Sequence, residues 1–516
     1  MPRVFNTAGP CLAEKHYMIA AGRRLSQLRE LIDGEHYFVI HAPRQTGKTT
    51  LLRNLSRELT AEGRYAALTV SLESFTDPDL PQIMPQILER LQQAAQQQLS
   101  EDCWPPSPDR FAQSPHIGLS GYLTAWCASI DRPLVVFFDE VDAIPGALLI
   151  SVLRQLRDGY TSRPAPFPRS VALVGLRDVR DYKIQVRPES ATLGTASPFN
   201  IKTRSLSLRN FTSHEVAELL EQHTRETQQE FALDAVKEIY RQTLGQPWLV
   251  NALASQLTTS YDALVPDRTV SVTRDKVLQA REILIERRDT HLDSLVDKLR
   301  EDRVRRTLEP ILVGALAVGS TYDDDFSYVR DLGLVAVRDG IRVIANPIYQ
   351  EIIPRVLTHQ VQTAIPDQPA WFVAADGTLD MRKLIDGFIE FWRRHGEVLL
   401  RGMPYQEAAP HLAFMAYLQR IVNAGGRVER EFAIGTGRAD LVVEFGGRED
   451  VIELKIMRGK YTLPDGLVQV AGYAKRLGRD VGYLVIFDPN SDTPVEDRGE
   501  VEELEQDGIR IVLVRA

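Results

Sequence analysis

The sequence predicts an α/β protein of several domains: a parallel sheet flanked by helices at the amino-terminal end, helical units in the middle, and a smaller α/β domain at the carboxyl-terminal end. Three observations predict it. From Tyr37 to Gly175, apolar strand-like runs (YFVIHA, YAALTVSL, PLVVFFDE, SVALVGL) alternate with helical stretches such as LLRNLSREL, as parallel strands joined by crossover helices would. Past Leu208 the periodicity becomes helical. After about Leu379 strand runs return as LVVEF, VIELKI and VGYLVIF, and a chain of 516 residues exceeds what one hydrophobic core supports.

Composition narrows the setting. Apolar residues at 44% and charged residues at 25% are globular values and argue against large-scale disorder. The cysteines Cys11, Cys103 and Cys127 are widely spaced with no CxxC pair, so neither a disulfide framework nor a structural zinc site is expected, and a reducing cytoplasm is the natural compartment. No apolar run approaches the ~20 residues of a membrane helix, so no membrane partner is expected. A net charge of −9 means that nucleic-acid binding has to be argued from a local site.

In chain order, residues 1–207 read as the parallel-sheet core. The glutamine-rich stretch RLQQAAQQQLS reads as the solvent face of a helix, followed by a proline-rich loop. Residues 208–268 read as a helical lid that opens with Thr212-Ser213-His214-Glu215, the pattern of a capping box. Residues 269–360 are mostly helical but contain LGLVAVRDGIRVIANP, two alternating runs joined by Asp339-Gly340; helices plus a terminal hairpin suggest a winged helix. Such a unit reads a DNA groove or packs within the protein, and the lack of a dense Arg/Lys cluster favours packing. Residues 361–378, with two prolines, read as a linker, and residues 379–516 as the last domain.

After the first strand comes Ala42-Pro43-Arg44-Gln45-Thr46-Gly47-Lys48-Thr49, the GxxxxGK[ST] pattern with alanine in place of the first glycine. Backbone amides around Arg44, Gln45, Thr46 and Gly47 close on phosphate oxygens and Lys48 meets the terminal phosphates. The Thr49 hydroxyl ligates magnesium, and Thr50 opens the helix whose positive end faces the anion. The strand Leu134–Phe138 ends in Asp139-Glu140, the Walker B form: Asp139 holds magnesium and Glu140 orients and deprotonates the attacking water. Arg177, at the end of the next strand, either senses the γ-phosphate or forms a local ion pair with its acidic neighbours.

The segments YFVIHAPRQTGKTT, VVFFDEVD, SPFNI, LGQPWLVNALA and ANPIYQEIIP resemble the AAA-like, STAND-type P-loop ATPases of prokaryotes, over roughly residues 15–360. Gly245-Gln246-Pro247 is similar to the GxP turn of their lid. The resemblance implies a P-loop NTPase sheet with helical lid and winged helix, with ATP and Mg2+ as cofactors. It also implies a nucleotide-controlled switch that assembles into an ATP-dependent homo-oligomer.

In the last domain Asp440 opens the strand LVVEF, which turns through Gly446-Gly447 into VIELKI, carrying Glu453 and Lys455. Alternation puts Glu453 and Lys455 on one face, where Asp440 of the neighbouring strand can join them. Two carboxylates for Mg2+ or Mn2+ and an ammonium to steady the nucleophile are the set that phosphodiester hydrolysis needs; the alternative is a surface Glu-Lys pair. Glu407, upstream, offers a further carboxylate, and Gln469 and Tyr473 lie four apart on one helical face.

Helix, hairpin, helix and strand in this order, with Glu407, Asp440, Glu453-x-Lys455 and Gln469-x-x-x-Tyr473, resemble the RecB-like branch of the PD-(D/E)xK superfamily from about residue 380 onward. That resemblance implies an α/β restriction-endonuclease-like domain. It assigns Glu407, Asp440 and Glu453 to metal, Asp440, Glu453 and Lys455 to catalysis, and Gln469 and Tyr473 to substrate or to bracing the metal site. As a helical pair the last two could equally just pack, and Arg438 binds a phosphate or only orients Asp440. The expected function is an ATP-controlled, metal-dependent nuclease acting on nucleic acid, with DNA the expected substrate. The rival expectation is a sensing, oligomerising signalling ATPase whose last domain only binds nucleic acid or is inactive.

Overall fold

The structure, a computed structural model, describes residues 2–73, 80–144, 146–176, 202–287, 297–312, 323–357, 371–374, 376–402, 408–423, 426–434, 437–457, 459–488 and 499–516. The chain divides into two compact units, Met1–Arg287 with Ser327–Leu334, and Arg288–Phe326 with Val335–Ala516.

The first unit starts with α1 (Leu28–Asp33), β1 (Tyr37–His41), α2 (Lys48–Ala61), β2 (Ala66–Ser71) and α3 (Leu80–Gln98). It continues through α4 (Asp109–Ala112), α5 (Gly118–Ser129), β3 (Leu134–Asp139), α6 (Gly146–Thr161), β4 (Ser170–Gly175) and β5 (Lys202–Ser207). The five strands form one parallel sheet in the order β2-β3-β4-β1-β5. Every residue of β3 and β4 is buried, which is why these segments read as unbroken apolar runs rather than alternating ones. Two cores form, one on each face: Leu51, Leu52, Leu55 and Leu59 of α2 pack on one, and Leu88, Leu91, Trp126 and Leu153 from α3, α5 and α6 on the other. Gln98, in the glutamine-rich stretch, does not simply face water. Its amide donates to Thr69 O (2.8 Å) and accepts from Thr69 N (3.0 Å) on the outermost strand.

The lid helices are α7 (Ser213–Thr227), α8 (Leu233–Thr243), α9 (Pro247–Thr258) and α10 (Arg274–Arg287). Thr212 and Glu215 form a reciprocal capping box at α7, and Arg209 adds an ion pair to Glu215 at 2.6 Å. Gly245, at φ 72°, sits so close to the Phe211 backbone that a Cβ would stand 1.9 Å from its carbonyl oxygen. Only glycine fits that turn. Gln246 then caps α9, its side chain accepting from Leu249 N at 2.6 Å, with Pro247 in the first turn.

The second unit holds α11 (Asp302–Leu312) and, after α12 (Asp324–Asp331), the antiparallel pair β6 (Val335–Arg338) and β7 (Ile341–Ile344), then α13 (Pro347–Leu357). Asp339 and Gly340 both have positive φ, 50° and 79°, as a tight two-residue hairpin requires. Next come α14 (Met381–Gly402), α15 (Ala409–Asn423), β8 (Arg427–Ile434), β9 (Gly437–Phe445), β10 (Arg448–Ile456), α16 (Thr462–Arg476), β11 (Val481–Phe487), β12 (Glu500–Gln506) and β13 (Ile509–Arg515). Six strands form a mixed sheet in the order β12-β13-β11-β10-β9-β8, with β10, β11 and β13 parallel. Val470, Ala471 and Ala474 of α16 pack on Val442, Val451, Leu484 and Ile486. Phe388 of α14 lies edge-on to Phe414 of α15, ring centroids 4.6 Å apart, and to Phe487 at 6.2 Å. No described helix is long and apolar enough to cross a membrane.

Candidate functional site

The phosphate-binding geometry is set by the chain's exit from β1. Gly47 takes a left-handed conformation (φ 91°) immediately before α2, which begins at Lys48 rather than at Thr50. The first amides of α2 are thereby left for an anion. Lys48 bends back, its Nζ donating to Ala42 O (2.7 Å) and Pro43 O (2.9 Å), and Thr46 Oγ1 donates to Pro43 O (2.8 Å). Alanine at position 42 is buried and costs the loop nothing, because what Lys48 uses there is a carbonyl. Arg44 and Gln45 are exposed at the turn of the loop, Gln45 with positive φ.

Thr49 Oγ1 donates to Asp139 Oδ2 at 2.7 Å, so hydroxyl and carboxylate already meet at the point where a magnesium ion would take both. This pairing and the open loop amides fit Mg2+ and nucleotide. Glu140, in a left-handed conformation, follows directly, and its N–H donates to Asp139 Oδ1. Burial raises the pKa of Asp139, and burial together with Glu73, Asp139 and Asp142 raises that of Glu140. Burial pulls Lys48 down to about 8 against the attraction of Asp142, Asp139 and Glu140. A bound polyphosphate would raise it again.

Residues that the sequence reading passed over hold this loop. The buried Arg24 donates to Thr46 O at 2.8 Å, and to Arg209 O, and stacks over the Phe211 ring at 5.0 Å. It thus ties the phosphate loop to the lid entrance. Asp142 accepts from Leu176 N at 2.9 Å, which anchors the end of β4 beside β3. An amino-terminal strap reaches the same place: Cys11 N donates to Thr50 Oγ1 (3.1 Å), which occupies that hydroxyl, and Trp248 Nε1 of α9 donates to Thr7 O (2.8 Å). Arg177 lies outside the described residues.

In the second unit the pairing Ile452↔Leu441 brings Glu453 alongside Asp440. Asp440 N approaches Glu453 Oε2 at 3.4 Å, Leu454 N donates to Asp440 Oδ2 at 2.9 Å, and Lys455 Nζ bonds Glu453 Oε1 at 2.7 Å. Glu453 is only 2% exposed. Burial, then the Asp440 charge, raises its pKa to about 7, Lys455 opposing. Lys455 is lowered by burial but raised more by the Glu453 and Asp440 carboxylates, so its net shift is upward. A carboxylate pair with this much unfavourable charge suits a divalent cation. Among the described residues no group of three His, Cys, Asp or Glu converges as a metal site.

Tyr473 on α16 is near enough to Lys455 to act on its charge, whereas Gln469, one turn earlier, is exposed. Glu407 and the Arg438 side chain lie outside the described residues. His411 is 4% exposed, with Nδ1 3.4 Å from Leu312 O. It lines a cavity of about 70 Å3 together with Met415, Leu441, Leu454 and Asp440.

A family model described as an AAA ATPase domain matches residues 22–174. No curated protein matches the sequence. Among solved structures, the chain is similar to a Walker-type ATPase of Pyrococcus abyssi at 13% identity and TM-score 0.47, covering 68% of this chain and 99% of that one. It is similar to the Thermotoga maritima RuvB Holliday junction branch migration motor at 15% identity and TM-score 0.33, covering 65% and 93%. A third is Cdc6p from Pyrobaculum aerophilum, at 13% identity and TM-score 0.34, covering 69% and 98%. Residues 22–174 match the AAA ATPase domain, and the parallel sheet, the GK[ST] loop and the Thr49–Asp139 pair support an ATPase.

Proposed function

We propose that ATP binding and hydrolysis in the AAA domain control metal-dependent cleavage of nucleic acid, with DNA as the substrate, by the carboxyl-terminal α/β domain. The observation that carries this reading is the convergence of Asp440, Glu453 and Lys455 on two paired strands. At the nucleotide site Lys48 and the loop amides from Arg44 to Thr49 hold the phosphates, Thr49 and Asp139 hold Mg2+, and Glu140 accepts the proton of the attacking water. At the second site Asp440 and Glu453 hold Mg2+ or Mn2+, while Lys455, kept protonated by both carboxylates, steadies charge at the scissile phosphate. At each site the bound cation supplies the charge that polarises a phosphate. Glu407 would be the third carboxylate, and Gln469, Tyr473 and Arg438 would contact the substrate. The ATPase assembles as a homo-oligomer in the manner of STAND-type switches and works in the cytoplasm.

The test is cleavage of linear, circular and single-stranded DNA with Mg2+ or Mn2+, with and without ATP, comparing wild type with Asp440→Ala and Lys455→Ala. Cutting by wild type and its loss in both variants is expected. A second reading, a sensing ATPase whose last domain binds nucleic acid without cutting, is favoured by the lack of a three-ligand cluster among the described residues. Retained DNA binding with no cutting under any condition would establish it instead.

A further inference from the structure

A concave feature of the AAA domain extends beyond the scheme above, which uses only Thr49 and Asp139 at its end. Between α2 and α3, over β2, lies a cleft of about 500 Å3. Its walls are regular stripes. Thr49, Arg53, Ser56 and Arg57 project from one side of α2; Arg90, Gln93 and Gln97 come from one side of α3. Its floor is β2, where the small residues Ala67, Thr69 and Ser71 alternate along one face and leave the space between the helices unfilled. At one end the cleft reaches Thr49 and Asp139.

The charge of this cleft is unusual for a chain with a net charge of −9. Three arginines line it, and Asp139, at its end, is the only acid among the described lining residues. Arg53 and Arg57 are four apart on one helix face, a spacing at which like charges repel. Neither has an ion-pair partner among the described residues. Guanidinium groups in a concave, amide-lined space match phosphate oxygens by their forked donors. Among the described residues no aromatic side chain lines the cleft, so none of them offers the stacking platforms of a single-strand groove. Its volume is that of a small-molecule pocket.

We infer that this cleft binds a phosphorylated small molecule of nucleotide size, distinct from the ATP held by the phosphate loop, through Arg53, Arg57 and Arg90. Gln93, Gln97 and the hydroxyl of Ser71 provide for the ligand's polar, uncharged part. Occupation places negative charge at the end of the cleft shared with Thr49 and Asp139.

Inorganic pyrophosphate titrated calorimetrically into the full chain, in chelator, tests this. Wild type is expected to take two equivalents, Lys48→Ala one, Arg53→Ala/Arg57→Ala one, and the combined variant none. Arg90→Ala, on the other helix, weakens the second equivalent about tenfold and serves should the α2 double variant not fold. The equivalent kept by the phosphate loop in each arginine variant reports that the domain is intact. A single equivalent on wild type that disappears with Lys48→Ala would overturn the proposal, as would two undiminished equivalents on the arginine variants. Displacement of the second equivalent by a short oligothymidylate at concentrations below those of pyrophosphate would reassign the cleft to a nucleic-acid backbone and overturn the small-ligand reading.

Discussion

Two partly buried lysines show how one ammonium serves opposite ends. Lys48 rests on the carbonyls of Ala42 and Pro43, with no carboxylate in direct contact among the described residues, and burial draws its proton affinity down. It is a cation short of an anion. Lys455 is bonded to Glu453, which Asp440 crowds, and its proton affinity is driven up. There the lysine is satisfied and the carboxylates are in excess, so that site is short of a cation. Neutral carbonyls leave a lysine ready for phosphate, whereas carboxylates spend it and leave the demand on a metal.

The largest effect should come from breaking the anion-seeking half. Lys48→Ala is expected to cut ATP turnover by on the order of 10²–10³-fold, read in a steady-state phosphate-release assay, with thermal stability in the absence of nucleotide unchanged or slightly raised. Gly245→Ala should cost about 3 kcal/mol in denaturant unfolding, because the added Cβ meets the Phe211 carbonyl oxygen and no side chain can give way. It separates lid geometry from phosphate chemistry.

The cation-seeking half is sharpened by pH. Glu453 has a pKa raised from 4.5 to about 7, so the folded state holds a proton that the unfolded chain releases. In chelator, its contribution to stability is therefore full below pH 4.5 and falls as pH rises to about 7. Glu453→Gln should remove that slope in thermal melts from pH 4 to 8, while keeping the residue neutral. Asp440→Asn, which relieves the crowding of Glu453, should stabilise the metal-free chain by about 1 kcal/mol and destabilise it relative to wild type in excess Mg2+. The same sign in both media would refute the idea that the pair awaits a cation.

The smallest effect has the opposite pH sense. Glu215 is held down to about 2 by hydrogen bonds from Arg209 and the amide of Thr212, and its stabilisation is present above pH 4.5 and lost as pH falls to about 2. Glu215→Gln should cost roughly 1 kcal/mol at pH 7, with the difference from wild type fading over that acid window.

The parts of the two sites legible in the sequence are those written in contiguous residues. Gly47-Lys48-Thr49, Asp139-Glu140 and Glu453-x-Lys455 carry their chemistry in the spacing of a loop, a strand end and one strand face. The turns Asp339-Gly340 and Gly446-Gly447 are legible for the same reason, each residue having the positive φ that the dipeptide favours. Arg24 was not legible. It bonds Thr46 and, 185 residues away, Arg209, and nothing in AGRRL distinguishes it from its exposed neighbour Arg23. A histidine among Leu412, Ala413 and Phe414 reads as core until a fold brings Asp440 to the same cavity as His411. Gln98 reads as solvated because a glutamine-rich helix carries no sign of which amide finds a backbone.

That glutamine has a consequence for how the molecule behaves in company. β2 ends the parallel sheet, and an unpaired strand border is a template on which another chain can add itself. By giving Thr69 both a donor and an acceptor, Gln98 imitates one peptide of a sixth strand and closes the template near its middle. A molecule without it, Gln98→Ala, would keep its fold and its nucleotide chemistry yet present an open seam, and at high concentration it should aggregate where the wild type stays dispersed.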